Sequence, residues 1–234
     1  MVNIDLHRNI FVNILREIYS DASLRKSLGF KGGTAAMLFY NLPRFSVDLD
    51  FDLLDEEKKE VVFQRLKEIL PGFGSLTQAT DKKNTLFFLL SYKRGERNLK
   101  IEVSKRPVKS DFVLKNYLGI SMLVMRKEDM AAAKLSALLT RKKLATRDLF
   151  DLWFFLDNNW EINEKVFEEK SGLSLSQGLK KAEDKIKKIK KTELLAGLGD
   201  LLDNKQKFWV KEKLQDELLF KLKLFSSNIS KRPA

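Results

Sequence analysis

The chain of 234 residues contains no cysteine. No disulfide framework can form, and neither a thiolate metal site nor a thiol nucleophile is available. Histidine occurs once, as His7, in a segment with helical spacing. A His-rich zinc site is thereby excluded, and a Ser-His-Asp triad is argued against. Apolar runs long enough to cross a bilayer are missing, and no cleavable signal pattern opens the sequence, so a cytoplasmic location without a membrane is the expectation. Acidic residues are in the minority: 32 Asp plus Glu against 44 Lys plus Arg leave a net charge of +12. That excess favours polyanionic partners, and without an anchor nucleic acid fits better than a lipid surface. Lysines that only solubilise the surface would give the same excess. Hydrophobic content of 44% and charged content of 32% belong to an ordinary folded chain.

What the sequence does have is concentrated between Lys31 and Leu54, KGGTAAMLFYNLPRFSVDLDFDLL. A Gly-Gly-Thr corner leads into a short apolar helix, which turns at Pro43 and ends in a strand bearing Asp48, Asp50 and Asp52. Carboxylates at alternate strand positions share a face, roughly 7 Å apart, while Val47, Leu49, Phe51 and Leu53 point into a core. Like charges gathered on one face are unfavourable unless a cation sits among them. Mg²⁺ suits such a place, because it takes one or two carboxylates together with the oxygens of a substrate phosphate. Gly32 and Gly33 leave backbone N–H groups open at a helix start, where a phosphate is favoured. Each half has a plainer explanation, as the solvent side of a sheet and as a simple turn.

In the order G-G-T followed by D-x-D, the two halves resemble the signature of polymerase-β-like nucleotidyltransferases. The fuller string, KGGTA…Y.L.RFS.DLDFDL, is similar to the abortive-infection nucleotidyltransferases of the AbiEii/AbiGii toxin family. Lys31, Gly32, Gly33, Thr34, Ala35, Tyr40, Leu42, Arg44, Phe45, Ser46, Asp48 and Asp50 all fall in place.

Around this unit, helical spacing covers residues 3–20, with Ile4, Ile10, Phe11, Ile14, Leu15 and Ile18 as the apolar stripe. A second short helix is expected to end near Gly29, another to span 33–41, and a further one to run over 56–70 after an Asp55 cap. A polar loop then precedes two strands, Thr85–Tyr92 and Leu99–Val103, joined as a hairpin through Gly95. Glu102 faces away from Ile101 and Val103, with Lys100 beside it on the same face. The resemblance implies a third carboxylate on such a strand, the role that Glu102 would fill, although an exposed strand glutamate looks the same. Strands at 111–117 and 120–125 complete an N-terminal part, 1–126.

From Lys127 onward the period is helical, giving an all-α part, 127–234, with helices at 127–141, 146–156, 162–170, 175–191, 192–203 and 205–224. The Ser-Lys-Arg-Pro tail is expected to fray. The fold class is α+β, a mixed sheet flanked by helices and then a helical domain. Lys134 shares a helix face with Met130, Ala137 and Leu138, where it either reaches a triphosphate as a point charge or snorkels. Thr146 reads as the cap of a helix whose T-R-D-L-F-D-L segment resembles the family's R-D-x-[YF]-D-L motif, with Phe150 where tyrosine is common. Asp148 in the first turn suits the helix dipole on its own. The motif implies that it orients Lys134, the nucleotide or the acceptor, with Asp151 as its understudy. Lys180–Lys191 is a basic run with two acids, suited to phosphate backbones or to plain solvation.

Together these features imply a Mg²⁺-dependent nucleotidyltransferase moving a nucleoside monophosphate from an NTP to an RNA hydroxyl, and the resemblance implies that it is the toxin of a toxin–antitoxin pair. The 3′ end of a tRNA is one candidate acceptor, and a cognate antitoxin is the implied partner. One or two Mg²⁺ would sit on Asp48, Asp50 and Glu102; Lys31, Gly32, Gly33, Thr34, Arg44, Ser46 and Lys134 would hold the nucleotide. The catalytic set is Asp48, Asp50, Lys134 and Asp148. Transfer to a protein hydroxyl, or nucleotide sensing and antitoxin binding without turnover, are the alternatives.

Overall fold

Alternation of acidic and apolar side chains makes the D-x-D segment a strand that is the central one of seven. In the computed structural model, which describes residues 3–107 and 110–229, the strands are β1 (Leu28–Lys31), β2 (Asp48–Leu53), β3 (Ser75–Lys82), β4 (Thr85–Ser91), β5 (Leu99–Ser104), β6 (Phe112–Tyr117) and β7 (Ile120–Met125). Their order is β3-β4-β5-β2-β1-β7-β6. The sheet is mixed, with β2 parallel to β5 and β1 parallel to β7, and the other pairs antiparallel. Two compact units divide the chain, Met1–Arg126 and Lys127–Ala234, and the sheet belongs to the first.

On the apolar side of β2, Leu49 and Phe51 are fully buried and Leu53 nearly so, with the Phe51 ring 5.3 Å from that of Phe30 on β1. Truncating one such aromatic costs about 3–5 kcal/mol. Helix α1 (Ile4–Ser20) supplies Phe11, Ile14, Leu15 and Ile18 to this core. The buried stripe is shifted from the expected one: Ile4 is exposed, Ile10 is half-buried, and His7 occupies the inner face instead. Asn3 caps the helix by accepting from the Leu6 N–H at 3.1 Å. Helices α2 (Leu24–Ser27), α3 (Gly32–Tyr40) and α4 (Lys59–Ile69) complete the unit.

Two strands were hidden in the sequence. β1 is four residues long, too short to show a period, and it fills the gap between β2 and β7. β3 is polar because it is a sheet edge, where one side of the backbone faces water, and it carries a bulge between Leu76 and Gln78.

The second unit comprises α5 (Lys127–Thr140), α6 (Thr146–Asp157), α7 (Glu164–Ser171), α8 (Leu175–Lys187), α9 (Asn204–Glu212) and α10 (Leu214–Ile229). No helix covers 192–203: two short 3-10 turns, Lys191–Glu193 and Gly199–Leu201, flank Gly197, whose φ of 70° stops helical propagation. The segment 205–224 breaks at Lys213 into α9 and α10. α8 ends at Lys187, and the Gln215 amide donates to the carbonyls of Ile186 and Ile189 there, at 2.8 and 3.0 Å. Thr146 is not the cap of α6. That place falls to Ala145, and the Thr146 hydroxyl donates to the Ala196 carbonyl at 2.6 Å. The terminal Ser-Lys-Arg-Pro tail lies outside the described residues. No helix among the described residues is long and apolar enough to cross a membrane.

Candidate active site

Register brings three acidic positions of the first unit together. β2 pairs with β5 so that Asp48 faces Lys100, Asp50 faces Glu102 and Asp52 faces Ser104. In-register partners share a side of the sheet, so Asp48, Asp50 and Glu102 lie on one face, as do Lys100 and Lys31, the latter opposite Asp50 across β1–β2. The Lys100 ammonium stands 3.3 Å from Asp48 Oδ2 and 4.0 Å from Glu102 Oε1. Lys31 is paired with Asp52. Asp50 has neither lysine as a direct partner. Its carboxyl is pushed above the usual carboxylate range, first by burial and then by the charges of Asp48 and Glu102, with Lys31 and Lys100 opposing.

The corner before α3 is shaped around Asp50. Gly32 has φ +77°, and a Cβ there would lie 2.5 Å from Asp50 Oδ2. A Cβ on Gly33 would meet the Arg44 guanidinium at 2.7 Å and Ser46 Oγ at 2.8 Å. The loop after α3 therefore folds back over the helix start and lays Arg44 and Ser46, both buried, against it. Arg44 also donates to the Phe45 carbonyl at 3.0 Å. A cation, a hydroxyl and the open N–H groups of a helix start form a cradle suited to phosphate oxygens. The Thr34 hydroxyl, fully buried, donates to the main-chain carbonyl of Asp48 and ties this corner to the strand.

A second tie comes from the only histidine. His7 Nε2–H donates to the Val47 carbonyl at 2.9 Å, and Nδ1 accepts from the Tyr92 hydroxyl at 2.7 Å. Burial pushes its pKa below 6.5, against the Val47 hydrogen bond and the charge of Asp48, so the ring is neutral near pH 7. Nothing in the sequence singled out His7 beyond a place on an amphipathic helix.

The donor set fits a divalent cation. Three hard carboxylate donors share a face, and Asp50 is disfavoured as an anion unless positive charge is added. Among the described residues no three acidic or histidine side chains are already drawn into a metal cage, and Lys100 stands beside two of the carboxylates.

In the second unit, α5 and α6 bring Lys134 between two buried carboxylates, with its ammonium 2.7 Å from both Asp148 Oδ1 and Asp151 Oδ2. Arg141 lies 3.0 Å from Asp148 Oδ2. Asp148 and Asp151 are almost completely buried, while Lys134 is half-buried. A lysine shared by two buried anions is held in one orientation, and losing it removes the cation that both carboxylates share. Helical spacing placed Lys134, Asp148 and Asp151 on inner faces. Arg141 ends the cluster from the turn after α5, where spacing carries no information.

The solved structure of JHP933 from Helicobacter pylori matches 99% of this chain and 96% of its own length, with 23% identity and a TM-score of 0.62. An antigenic nucleotidyltransferase-like protein from Paracoccidioides brasiliensis matches 89% of this chain and 98% of its own, with 15% identity and a TM-score of 0.50. These likenesses establish a shared fold. No curated protein matches the chain. The sequence model of the nucleotidyl transferase AbiEii toxin, of a type IV toxin–antitoxin system, matches residues 13–187, which include the acidic strand, the Gly-Gly corner and the Lys134 cluster. The chain belongs to the AbiEii family of nucleotidyl transferase toxins.

Proposed function

We propose that the chain is a Mg²⁺-dependent enzyme that transfers a nucleoside monophosphate from an NTP to a hydroxyl of RNA, with the 3′ end of a tRNA as one candidate. The observation that carries this reading is the register of Asp50 with Glu102, with Asp48 two residues along the same face. Asp48, Asp50 and Glu102 would hold one or two Mg²⁺, which when bound would supply charge neutralisation at the triphosphate and a lowered pKa for the attacking hydroxyl. The acceptor oxygen bonds to the α-phosphorus, the bond from that phosphorus to its bridging oxygen breaks, pyrophosphate leaves, and the hydroxyl proton passes to solvent.

The chain's own residues bind and orient. Gly32 keeps the corner clear of a side chain beside Asp50, and Lys31 adds positive charge next to it. The α3 N–H groups of Gly33 and Thr34, with Arg44 and Ser46, take phosphate oxygens. Lys134 is assigned the charge that develops on the leaving pyrophosphate, and Asp148 the orientation of Lys134, with Asp151 in support; these two roles rest on the family motif and on the 2.7 Å contacts within the second unit. RNA as acceptor is supported by the net charge of +12. Family membership implies a cognate antitoxin, and a cytoplasmic, abortive-infection role belongs to the same reading.

Incubation with labelled NTPs, Mg²⁺ and total RNA tests it. Label on RNA that disappears in an Asp50→Asn chain is expected. Label on protein would point to a protein hydroxyl as acceptor, and label on neither would point to nucleotide sensing without turnover.

A further inference from the structure

Helix α9 presents an aromatic ring on a face that amphipathic patterning would leave polar. Its inner side is anchored: Val210 is fully buried, and Trp209 lies 4.2 Å from Trp153 and edge-on to Phe150. Its first turn is fixed by a reciprocal cap between Asp203 and Gln206. The outer face carries Lys205, Phe208, Lys211 and Glu212, all exposed, and Phe208 shows 69% of its surface to water. Lys205 and Lys211 stand three residues to either side of Phe208, so each is its surface neighbour. The 3-10 turn Lys191–Glu193 packs beside α9, next to the exposed Lys187, Lys188 and Lys190 at the end of α8. Across residues 180–213 eleven lysines stand against six carboxylates.

We propose that this face docks single-stranded RNA: one base stacks on Phe208, Lys205 and Lys211 hold the phosphates on either side of it, and the strand continues over the lysines at the end of α8. The inference rests on RNA being the acceptor and names how the second unit grips it. The occupant is chosen by the combination of ring and charge. An exposed ring flanked by two cations matches a nucleotide, which offers a flat apolar face between two anions. A duplex brings phosphates but keeps its bases stacked inside, so it leaves the ring uncovered. Six residues of helix separate the lysines by about 9 Å, a span comparable to the phosphates flanking one extended nucleotide. Because Trp209 and Val210 hold α9 in place, little ordering is needed on binding.

The test is fluorescence anisotropy with a labelled dodecauridylate, without NTP, at several salt concentrations. Phe208→Ala should weaken binding by about ten-fold or more with the salt slope kept, and Phe208→Tyr should bind as the parent does. Lys205→Gln with Lys211→Gln should weaken binding and make the log–log salt slope shallower by about one and a half. A blunt duplex of the same length should bind more weakly and be indifferent to Phe208. Phe208 is exposed, so thermal melting of these variants should match the parent. Parental binding by Phe208→Ala overturns the proposal, as does a Phe208 effect confined to self-association measured by light scattering. Binding is read without turnover, so failure of the platform and failure of the reaction separate. A parent chain that labels no RNA yet binds through Phe208 defeats the reaction alone. RNA labelling with the same KM in parent and Phe208→Ala defeats the platform alone.

Discussion

Asp50 and Glu102 are direct partners across the parallel pair β2–β5, while Lys31, the register partner of Asp50 on β1, turns its ammonium to Asp52, and Lys100 turns to Asp48. The arrangement concentrates negative charge where it is least comfortable and leaves it for a cation to relieve. Asp50→Asn should therefore abolish nucleotide transfer, by on the order of 100-fold or more, because a neutral amide cannot hold the cation. Stability without metal should be unchanged or slightly raised, since a like charge is removed from the face. Parallel turnover assays and thermal melts check both outcomes.

Gly32→Ala addresses the same carboxylate through the backbone. The left-handed φ of +77° costs an alanine about 1–2 kcal/mol, and its Cβ would stand 2.5 Å from Asp50 Oδ2. The variant should melt lower and lose transfer beyond what its folded fraction explains. Gly72→Ala is the control: a Cβ there meets nothing within 4 Å, so activity should persist.

His7 predicts an acid limb in stability. Its pKa is lowered in the folded chain, chiefly by burial, with Arg97 acting in the same direction and Asp48 and Glu96 against it. Below pH 6.5 the unfolded chain then binds more protons than the folded one. Stability should be level above that pH and fall as pH drops from 6.5 towards the folded-state pKa. His7→Gln should lower the plateau and flatten this limb in melts recorded from pH 7.5 to 5, values spanning the ordinary range of histidine.

The Lys134 cluster carries two separable expectations. Lys134→Ala leaves Asp148 and Asp151 buried without their shared cation and should cost about 3–5 kcal/mol of stability. Lys134→Met combined with Asp148→Asn and Asp151→Asn removes the charges together and should recover much of that loss. If the cluster also serves the reaction, the repaired chain stays inactive. Lys134→Ala and Asp148→Ala would each cripple transfer, and the double variant would be barely worse than either. Recovery of activity with recovery of stability would make the cluster purely structural.

The acidic strand itself was legible because period-2 alternation is a strong local signal. Asp48, Asp50 and Asp52 against Leu49, Phe51 and Leu53 could only be a two-faced strand. Its place at the centre of a mixed sheet was not written locally, since β1 is too short to show a period and β3 is an edge strand with polar side chains. The helix expected over 192–203 failed on Gly197, and the Thr146 cap failed because the hydroxyl found a partner fifty positions away. Long-range partners explain most of what was missed around the candidate site too. Lys100 beside Asp48, His7 on the Val47 carbonyl and Arg141 on Asp148 are pairings that spacing along the chain does not encode. The family motif carried Arg44 and Ser46, whose closeness to Gly33 is a property of the folded loop.

Two consecutive carbonyls at the head of β2 are each held by a side chain from elsewhere: Val47 by His7 and Asp48 by Thr34. A strand clamped at its first residue cannot slide, and sliding by one position would turn Leu49 to the ligand face and bury Asp48 and Asp50 in the core. Length changes between α3 and β2 must therefore be absorbed as slack upstream of Val47, in the stretch from Asn41 to Ser46. The chemistry of the strand is insulated from such indels, whereas the positions of Arg44 and Ser46 are not. On the proposed reading, drift in this loop would thus retune how the nucleotide is gripped while leaving the acidic face in register.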